Sequence, residues 1–565
     1  MNDKLTGAEA LVRMLEAYEV KHIFGLCGDT SLPFYDALAR LDHGIEHILT
    51  RDERSAAYMA DAYARVTHKV GVCEGPSGGG ATYLLPGLVE ANESSIPVLG
   101  ITSDVPVTSR GKFPLTELNQ QALYQPLTKW NTTIDIAEQI PSAIRSAFRA
   151  MTTGKPGSAH ICLPHDVQKH NVSGSDIWAQ KEHSHYPAQR YVANHADIEE
   201  AAKLILSARF PVLICGGGVI NSGAEKILEK IATFLNIPVC TTVSGQGSLA
   251  GNHSLNVGVV GANGGVPATR DIVNSADLVF FITCRAGSTT TENWRFPNKL
   301  IPIIHLDIDP NTIGANYHTK IGLVGDAKLT LEKLYEELES NIKNRTQNCV
   351  DGKTVVAKAK VAKFAPFLKL ANSNETPILP EKIVHLLNQY LPKDAIVCAD
   401  PGTPCPYFSA YFLSDLPGRH FITNRAHGAL GFSMSAAIGA AIGRPNTKCV
   451  SIMGDGSFGF TSGELETITR YKLPILMVVI SNSVYGWIKA SQKSGYDKRY
   501  YSVDFNRTDH AKIAEVYGIR SWSVTDPSNL ESVIKSAIEY GGPALVDIIS
   551  QPLQDAAAPV SQWMG

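Results

Sequence analysis

No uninterrupted apolar stretch in this sequence approaches the roughly 20 residues needed to span a hydrocarbon core, so no membrane span is expected. The start, Met1-Asn2-Asp3-Lys4-Leu5-Thr6-Gly7, lacks the charged-then-apolar order of a secretion signal, and a cytoplasmic protein follows as the expectation. No two of the ten cysteines are spaced C-x-x-C; Cys27, Cys73, Cys162, Cys215, Cys240 and Cys284 stand singly among apolar neighbours. That pattern reads as buried thiols in a reducing compartment rather than as disulfides or metal ligands. There is no Lys/Arg-rich run and almost no charge surplus, with a formal net charge of -3, which argues against a nucleic-acid partner. Hydrophobic residues at 44% and charged residues at 19% exclude both disorder and a long coiled coil.

What is present is length and a repeating alternation. A chain of 565 residues is too long for one hydrophobic core and predicts about three compact units. Short apolar runs bounded by Gly or Pro alternate with longer amphipathic segments, the pattern of parallel sheets flanked by helices. The expected fold is α/β, three doubly wound domains with mostly parallel sheets, over residues 1–185, 190–340 and 370–565. Strand-like segments include His22-Ile23-Phe24-Gly25, Val70-Gly71-Val72-Cys73, Pro211-Val212-Leu213-Ile214-Cys215 and Leu278-Val279-Phe280-Phe281-Ile282. The polar, His-rich His183-Ser184-His185-Tyr186-Pro187 reads as a linker, and the Lys- and Asn-rich stretch from Asn341 to Lys363 as an exposed crossing between domains.

The sharpest local signal is Cys449-Val450-Ser451-Ile452-Met453-Gly454-Asp455-Gly456-Ser457, an apolar strand delivering a Gly-Asp-Gly turn to a helix. Glycines let backbone N–H groups approach a phosphate, and an Asp at a strand end can hold a hard cation, so Gly454, Asp455, Gly456 and Ser457 form a candidate metal-diphosphate seat. Alone, such a turn also reads as a plain tight turn. A second apolar run, Pro474-Ile475-Leu476-Met477-Val478-Val479-Ile480, ends at Ser481-Asn482. Adjacent parallel strands present their carboxyl ends on one edge, so Asp455 and Asn482 are expected to converge there. Two such oxygen ligands, completed by a backbone carbonyl, phosphate oxygens and water, suit octahedral Mg2+.

Here the sequence resembles the thiamine-diphosphate-dependent enzymes, whose signature is Gly-Asp-Gly, a spacer of this size, then Asn-Asn; Ser481 departs from the first Asn. The resemblance implies thiamine diphosphate and Mg2+ as cofactors, with Asp455, Asn482 and the Val484 carbonyl as metal ligands. Thr50-Arg51-Asp52-Glu53-Arg54-Ser55-Ala56-Ala57-Tyr58, an amphipathic helix with its acid near the start, looks like the family's catalytic-glutamate helix. By that likeness Glu53 is the carboxylate that hydrogen-bonds a ring nitrogen of the aminopyrimidine and drives formation of the ylid, and a pKa raised by an apolar pocket would suit it. On its residues alone, Glu53 is also an acid favourably placed at a helix N-terminus.

Other segments fit the same plan. Gly75-Pro76-Ser77-Gly78-Gly79-Gly80-Ala81-Thr82 resembles the loop that borders the cofactor and places Gly79 beside it. Ala426-His427-Gly428-Ala429-Leu430 resembles the stretch whose apolar residue, here Leu430, wedges under the cofactor. Ala399-Asp400-Pro401-Gly402-Thr403-Pro404 stands where the family usually has Asp-Val-Gly-Gln-His, so Thr403 and Pro404 depart from it and imply fewer contacts to phosphate. The likeness covers essentially the whole chain and is greatest to the acetolactate synthase-like branch, supported by Phe34-Tyr35-Asp36-Ala37-Leu38 and the ending Ala558-Pro559-Val560-Ser561-Gln562-Trp563. Against a true synthase, Leu26-Cys27-Gly28-Asp29-Thr30 resembles the Pro-Gly-Asp of the simple 2-oxo acid decarboxylases, so Asp29 stands either as an active-site proton donor or as a turn-forming residue.

In flavin-containing synthases the central domain holds FAD around a Gly-Ala-Arg-Phe-Asp-Asp-Arg-like stretch; Thr283-Cys284-Arg285-Ala286-Gly287-Ser288-Thr289-Thr290 keeps only Arg285, which argues against FAD. The loop after the Asn ligand implies Trp487 over the reactive carbon, narrowing the pocket for small substrates. Lys112, Phe113 and Gln120 fall in a loop that resembles the family's Phe-Gln-Glu segment, here enlarged, which implies that they face the substrate; Lys112 either pairs with a substrate carboxylate or is a surface lysine. The expected partners are a small 2-oxo acid and an aldehyde or second 2-oxo acid, in a homodimer or homotetramer whose cofactor bridges the first domain of one subunit and the third of its neighbour. A nicotinamide dehydrogenase would share the α/β pattern but calls for G-x-G-x-x-G and an acid about 20 residues on, which Gly216-Gly217-Gly218 does not supply. A non-catalytic cofactor-binding regulatory subunit would need Asp455 and Asn482 but not Glu53.

Overall fold

Strands buried on both faces must be apolar almost throughout, and the runs that meet this condition assemble into three six-stranded sheets, each wholly parallel. The computed structural model describes residues 4–563. In spatial order the first sheet runs Glu46–Leu49, His22–Gly25, Gly71–Gly75, Val98–Asp104, Ala159–Pro164, Trp130–Thr133. The third runs Phe421–Thr423, Ile396–Ala399, Cys449–Gly454, Leu476–Ser481, Ala544–Ile549, Arg520–Val524. Numbered by chain order within each sheet, both read 2-1-3-4-6-5, so the first and last parts of the chain share one topology. The middle sheet, Asn256–Val259, Val239–Thr241, Pro211–Cys215, Leu278–Ile282, Ile303–Asp307, Ile321–Val324, reads 3-2-1-4-5-6, the order of a dinucleotide-type sheet.

The chain divides into two compact units. One holds the first sheet, taking in the chain up to Gln189 together with Asn424–Asn446 and Thr461–Leu473; the other holds the middle and third sheets. In the first unit, helix Glu53–Thr67 buries Ala56, Ala57, Ala60, Ala62 and Ala64 completely and packs on helix Ser433–Gly443, itself rich in Ala and Gly. The small side chains permit a close approach: a Cβ at Gly439 would lie 2.1 Å from the Met59 carbonyl oxygen. The same helix buries Arg65, which bonds Asp61 at 2.8 Å and Glu90 at 3.3 Å.

Two expectations about linkers are corrected. His183 and Tyr186 are buried against the first unit, with the Thr152 hydroxyl 2.8 Å from His183 Nδ1 and the Tyr186 hydroxyl donating to the Ala64 carbonyl at 3.1 Å. A polar segment docks here because its polar atoms find partners. Within Asn341 to Lys363, the second half belongs to a 20-residue helix, Gly352–Ala371, that buries Val356, Lys363, Phe367 and Ala371 in the second unit. Eight of the ten cysteines are buried and Cys27 is exposed. Among the described residues no helix is long and apolar enough to cross a membrane.

Candidate active site

In a sheet of this order the chain leaves strands 1 and 3 in opposite directions, opening a crevice at their carboxyl ends. In the first unit that crevice lies after Gly25 and after Gly75. Thr30 joins the two loops: its hydroxyl accepts the Ser77 N–H at 3.1 Å and lies 2.7 Å from Ser103 Oγ. Asp29 begins the short turn Asp29–Ser31 with its side chain exposed.

Strand Glu46–Leu49 leads into helix Glu53–Thr67, whose N-cap Asp52 accepts the Arg54 N–H at 2.8 Å. Glu53 follows the cap, only 5% exposed, and faces the glycine loop. A Cβ added at Gly80 would lie 3.0 Å from Glu53 Oε1, and one at Gly75 would lie 3.3 Å from its Cγ, so those glycines make room for the carboxyl group. Gly79 between them is exposed, with nothing near its missing Cβ. Burial raises the Glu53 pKa; the charges of Asp52 and Glu74 push the same way, against its own backbone N–H and Arg54.

Glu74 is a member of this cluster that sequence reasoning missed. It is 2% exposed in strand Gly71–Gly75 and accepts the Tyr35 hydroxyl, while His47 Nε2 lies 3.2 Å from the same oxygen and 3.0 Å from Tyr35. Burial and the Glu74 charge both raise the Tyr35 pKa, keeping it a neutral donor. The available signal was an acid inside an otherwise apolar strand, Val72-Cys73-Glu74-Gly75.

Glu90 shapes a further loop of this unit. Its Oε2 accepts the N–H groups of Ala426 at 3.2 Å and His427 at 2.7 Å, and Asn424 Nδ2 donates to the Ala429 carbonyl at 2.6 Å. Gly428 and Gly431 take φ values of 75° and 85°, which a side chain would oppose, and half-buried Leu430 is set between these two turns.

The second unit repeats the crevice at Ala399 and Gly454. Thr403 and Pro404 are buried where helix Pro404–Tyr411 begins, and a Cβ at Gly486 would lie 3.5 Å from Thr403 Oγ1, so this loop meets the segment after Asn482. Asp455 sits at the end of strand Cys449–Gly454, beside Gly454 and Gly456 and close to buried Ser457. Its Oδ2 accepts the N–H groups of Asn482 at 2.8 Å and Ser483 at 2.6 Å, and its Oδ1 that of Gly456 at 2.9 Å. The expected convergence of Asp455 and Asn482 is therefore a direct hydrogen bond. Burial raises the Asp455 pKa, opposed by those three N–H groups and by His510.

Past Asn482, Ser483 takes φ 57° and the chain pairs with residues near Asp504 through Phe505 N–H to Ser483 O and Tyr485 N–H to Val503 O. Those bonds bypass Val484, whose carbonyl accepts no hydrogen bond among the described residues. Ser481, the departure from Asn, donates to Asp547, which also accepts the His510 N–H at 3.2 Å. Ser481 Oγ and Asp547 Oδ2 both lie near the same ring nitrogen, Nδ1, of His510, at 3.2 and 3.3 Å, so the trio braces the strand end rather than relaying a proton from one ring nitrogen to the other.

The remaining positions do not join these two groups. Trp487 stacks edge-on against Trp563 at 5.3 Å and packs on the core of the second unit. Lys112 is exposed, its Nζ donating to the Thr108 carbonyl at 2.9 Å, and Phe113 is exposed beside it. Gln120 turns inward and is buried, accepting the Thr102 hydroxyl and donating to the Ser103 carbonyl at 2.9 Å, so both ends of its amide are engaged within the first unit.

The N-terminal TPP binding domain, central domain and C-terminal TPP binding domain of the thiamine pyrophosphate enzymes match residues 5–123, 198–334 and 400–548. The chain belongs to the thiamine-diphosphate-dependent enzymes. It is 36% identical over 567 residues to a probable acetolactate synthase large subunit of Methanococcus aeolicus, covering 97% of this chain and 92% of that one. An acetolactate synthase large subunit of Cyanidium caldarium is 32% identical over 551 residues, covering 96% and 93%.

A thiamine-diphosphate enzyme needs an acid at the ring end of its cofactor and oxygen donors with open backbone at the diphosphate end. The residues present fit both requirements. Glu53 is a buried acid of raised pKa against a loop of glycines, and the Val484 carbonyl, Asp455 and Asn482 offer oxygen donors of the kind Mg2+ takes. A Cβ added at Gly454 or at Gly402 would meet no atom within 4 Å, so the backbone there is open to a phosphate.

Proposed function

We propose that this enzyme is an acetolactate synthase-like carboligase: it removes carbon dioxide from a small 2-oxo acid and joins the remaining acyl unit to the carbonyl of a second 2-oxo acid or an aldehyde. The observation that carries the reading is the strand-end arrangement in which the Asp455 carboxylate fixes Asn482 and Ser483 while the Val484 carbonyl accepts no hydrogen bond among the described residues. In this proposal Asp455, Asn482 and the Val484 carbonyl hold Mg2+, and Gly454, Gly456, Ser457, Thr403, Pro404 and Gly428 line the diphosphate. Gly79 borders the ring end, Leu430 supports the cofactor from below, and Trp487 limits the room above it.

Thiamine diphosphate supplies, when bound, the electron sink that lets the carboxylate leave as carbon dioxide. Glu53 holds a proton at the pyrimidine ring nitrogen and exchanges it there, a role that the upward shift of its pKa by burial favours. Asp29, exposed at the crevice of the first unit, supports a second reading in which protonation to an aldehyde competes with carboligation. The proposal places the enzyme in the cytoplasm as a homodimer or a dimer of dimers.

The test is product identification. Purified enzyme with thiamine diphosphate, Mg2+ and a panel of 2-oxo acids, each with and without an aldehyde, is sampled by mass spectrometry. Hydroxy-keto products identify carboligation; free aldehydes alone move the assignment to simple decarboxylation; no consumption of any 2-oxo acid refutes the proposal.

A further inference from the structure

Helix Glu53–Thr67 carries the acid of the first crevice at its start and a buried ion trio towards its far end. Asp61 and Glu90 are fully buried and Arg65 nearly so, with the guanidinium between the two carboxylates. Burial works against the Arg65 charge, yet the carboxylates of Asp61 and Glu90 outweigh it and hold its pKa above the ordinary value. With both acids ionised the trio has one net negative charge in the interior, and a buried charge without compensation is costly. Its position is fixed as well. Helix Leu85–Glu93, which bears Glu90, lies so close to helix Glu53–Thr67 that a Cβ at Gly87 would come within 2.3 Å of Ala57 Cβ.

What offsets the surplus charge is the backbone of the loop that leads into helix Ser433–Gly443. Glu90 Oε1 accepts from the Arg65 guanidinium at 3.3 Å and from the Ser94 hydroxyl at 2.6 Å, while Oε2 accepts the N–H groups of Ala426 and His427, at 3.2 and 2.7 Å. One oxygen is spent on the helices and the other on the loop. Two consecutive N–H groups aimed at a single oxygen form an anion-binding turn, and the anion here is a side chain of the protein itself. The loop is exposed at His427 and Gly428, so packing contributes little to holding it there. Leu430 follows closely, flanked by Gly428 at φ 75° and Gly431 at φ 85°.

We propose that Glu90 is a positioning residue for the cofactor: its carboxylate fixes the loop that presents Gly428 and Leu430, so that removing the charge loosens the grip on thiamine diphosphate without altering any group that touches it. The inference rests on the proposed placement of Gly428 and Leu430 along the cofactor. Glutamine cannot replace the acid. Whichever way its amide turns, the NH2 group meets donors, the two loop N–H groups on one side or the Arg65 guanidinium on the other. Asp61 still pairs with Arg65 in that variant, so the helix keeps its own ion pair while the loop loses its anchor.

Hydrogen exchange of the full-length apoenzyme, followed by mass spectrometry, reads the loop directly. In Glu90→Gln the amides of residues 425–432 are expected to exchange about tenfold faster than in the wild type, with peptides of the first sheet unchanged. The thiamine diphosphate concentration for half-saturation at fixed Mg2+, followed by intrinsic fluorescence, is expected to rise about tenfold to a hundredfold. The KM for the 2-oxo acid at saturating cofactor should stay within about twofold. Ser94→Ala removes a bond from Oε1 alone and should leave all three quantities at the wild-type level. Should Glu90→Gln not fold, Glu90→Asp is read in the same way, because it keeps the charge beside Arg65 and draws the oxygens back from the loop by one methylene. Wild-type exchange in the segment, faster exchange with unchanged cofactor affinity, or equal rises in both constants would overturn the inference. Neither the exchange nor the cofactor titration requires turnover, so a wrong assignment of the reaction is told apart from a failure of the brace.

Discussion

Glu53 and Asp455 are both buried carboxylates of raised pKa, but their partners differ, and the difference separates their roles. Asp455 spends three oxygen lone pairs on backbone N–H groups, whereas Glu53 faces glycines and, among the described residues, receives only its own N–H. A carboxylate held open in this way can exchange a proton; one stitched to a strand end can hold a cation in a fixed position. Glu53→Gln keeps the shape and removes the exchange, so turnover should fall by about 10²- to 10⁴-fold while titration of the apoenzyme by thiamine diphosphate and Mg2+, followed by intrinsic fluorescence, still saturates. Asp455→Ala should behave in the opposite sense, with no saturation of the same titration at millimolar cofactor and Mg2+. A Glu53→Gln enzyme with unchanged turnover removes the proton role, and an Asp455→Ala enzyme that still saturates removes the metal role. Asp455 was legible in the sequence because it stands at the end of an apolar run, where a charged residue has no packing reason to be, whereas Glu53, which follows Thr50-Arg51-Asp52, was legible only through the resemblance of its helix to the family's catalytic-glutamate helix. Glu74, His510 and Asp547 were not legible in the same way. Their partners are 27 to 66 residues distant, and nothing in a local window says which strand end a buried acid will meet.

At the scale of elements, strands such as Leu278–Ile282 and Cys449–Gly454 were readable because a parallel sheet buries both faces and admits few polar residues. Helix Gly352–Ala371 was not, although its buried positions Val356, Lys363, Phe367 and Ala371 form a stripe at helical spacing. A lysine occupies the second place of that stripe, so the apolar period is broken in the sequence while it is kept in space. Glu381, in the first turn of helix Pro380–Tyr390, offers an independent measure of how much such buried charges matter. It is 2% exposed, and burial raises its pKa from 4.5 to about 7 against the lowering effect of its own backbone N–H. A folded-state pKa above the unfolded value means that the protonated form is favoured by folding, so its contribution is complete below about pH 4.5 and disappears as pH rises through 7. Glu381→Gln does not titrate. It should therefore match the wild type near pH 4.5 and exceed it at pH 8, by at most about 3 kcal/mol, in urea unfolding at the two pH values. A difference independent of pH would mean that Glu381 is not buried in its charged form.

Over the whole molecule, one sheet topology occurs twice, and the two copies carry different chemistry at the same topological place. Under the proposed function, the crevice of the first sheet presents the acid that handles a proton, and that of the third presents the oxygen donors for metal and diphosphate. In a two-fold dimer, the proposed bridging of the first sheet of one subunit to the third of its neighbour gives two equal sites, each built from one half of each chain. Subunit mixing tests that arrangement directly. Glu53→Gln and Asp455→Ala chains are each inactive as homodimers under the proposal, and in a mixed dimer one site receives both lesions while the other receives neither. Random re-pairing of equal amounts makes half of the dimers mixed, so about a quarter of wild-type activity should return, and it should appear only after dissociation and reassembly. A site built within one chain predicts the contrary: each subunit of the mixed dimer keeps its own lesion, and activity stays at the level of the parents however the chains are combined.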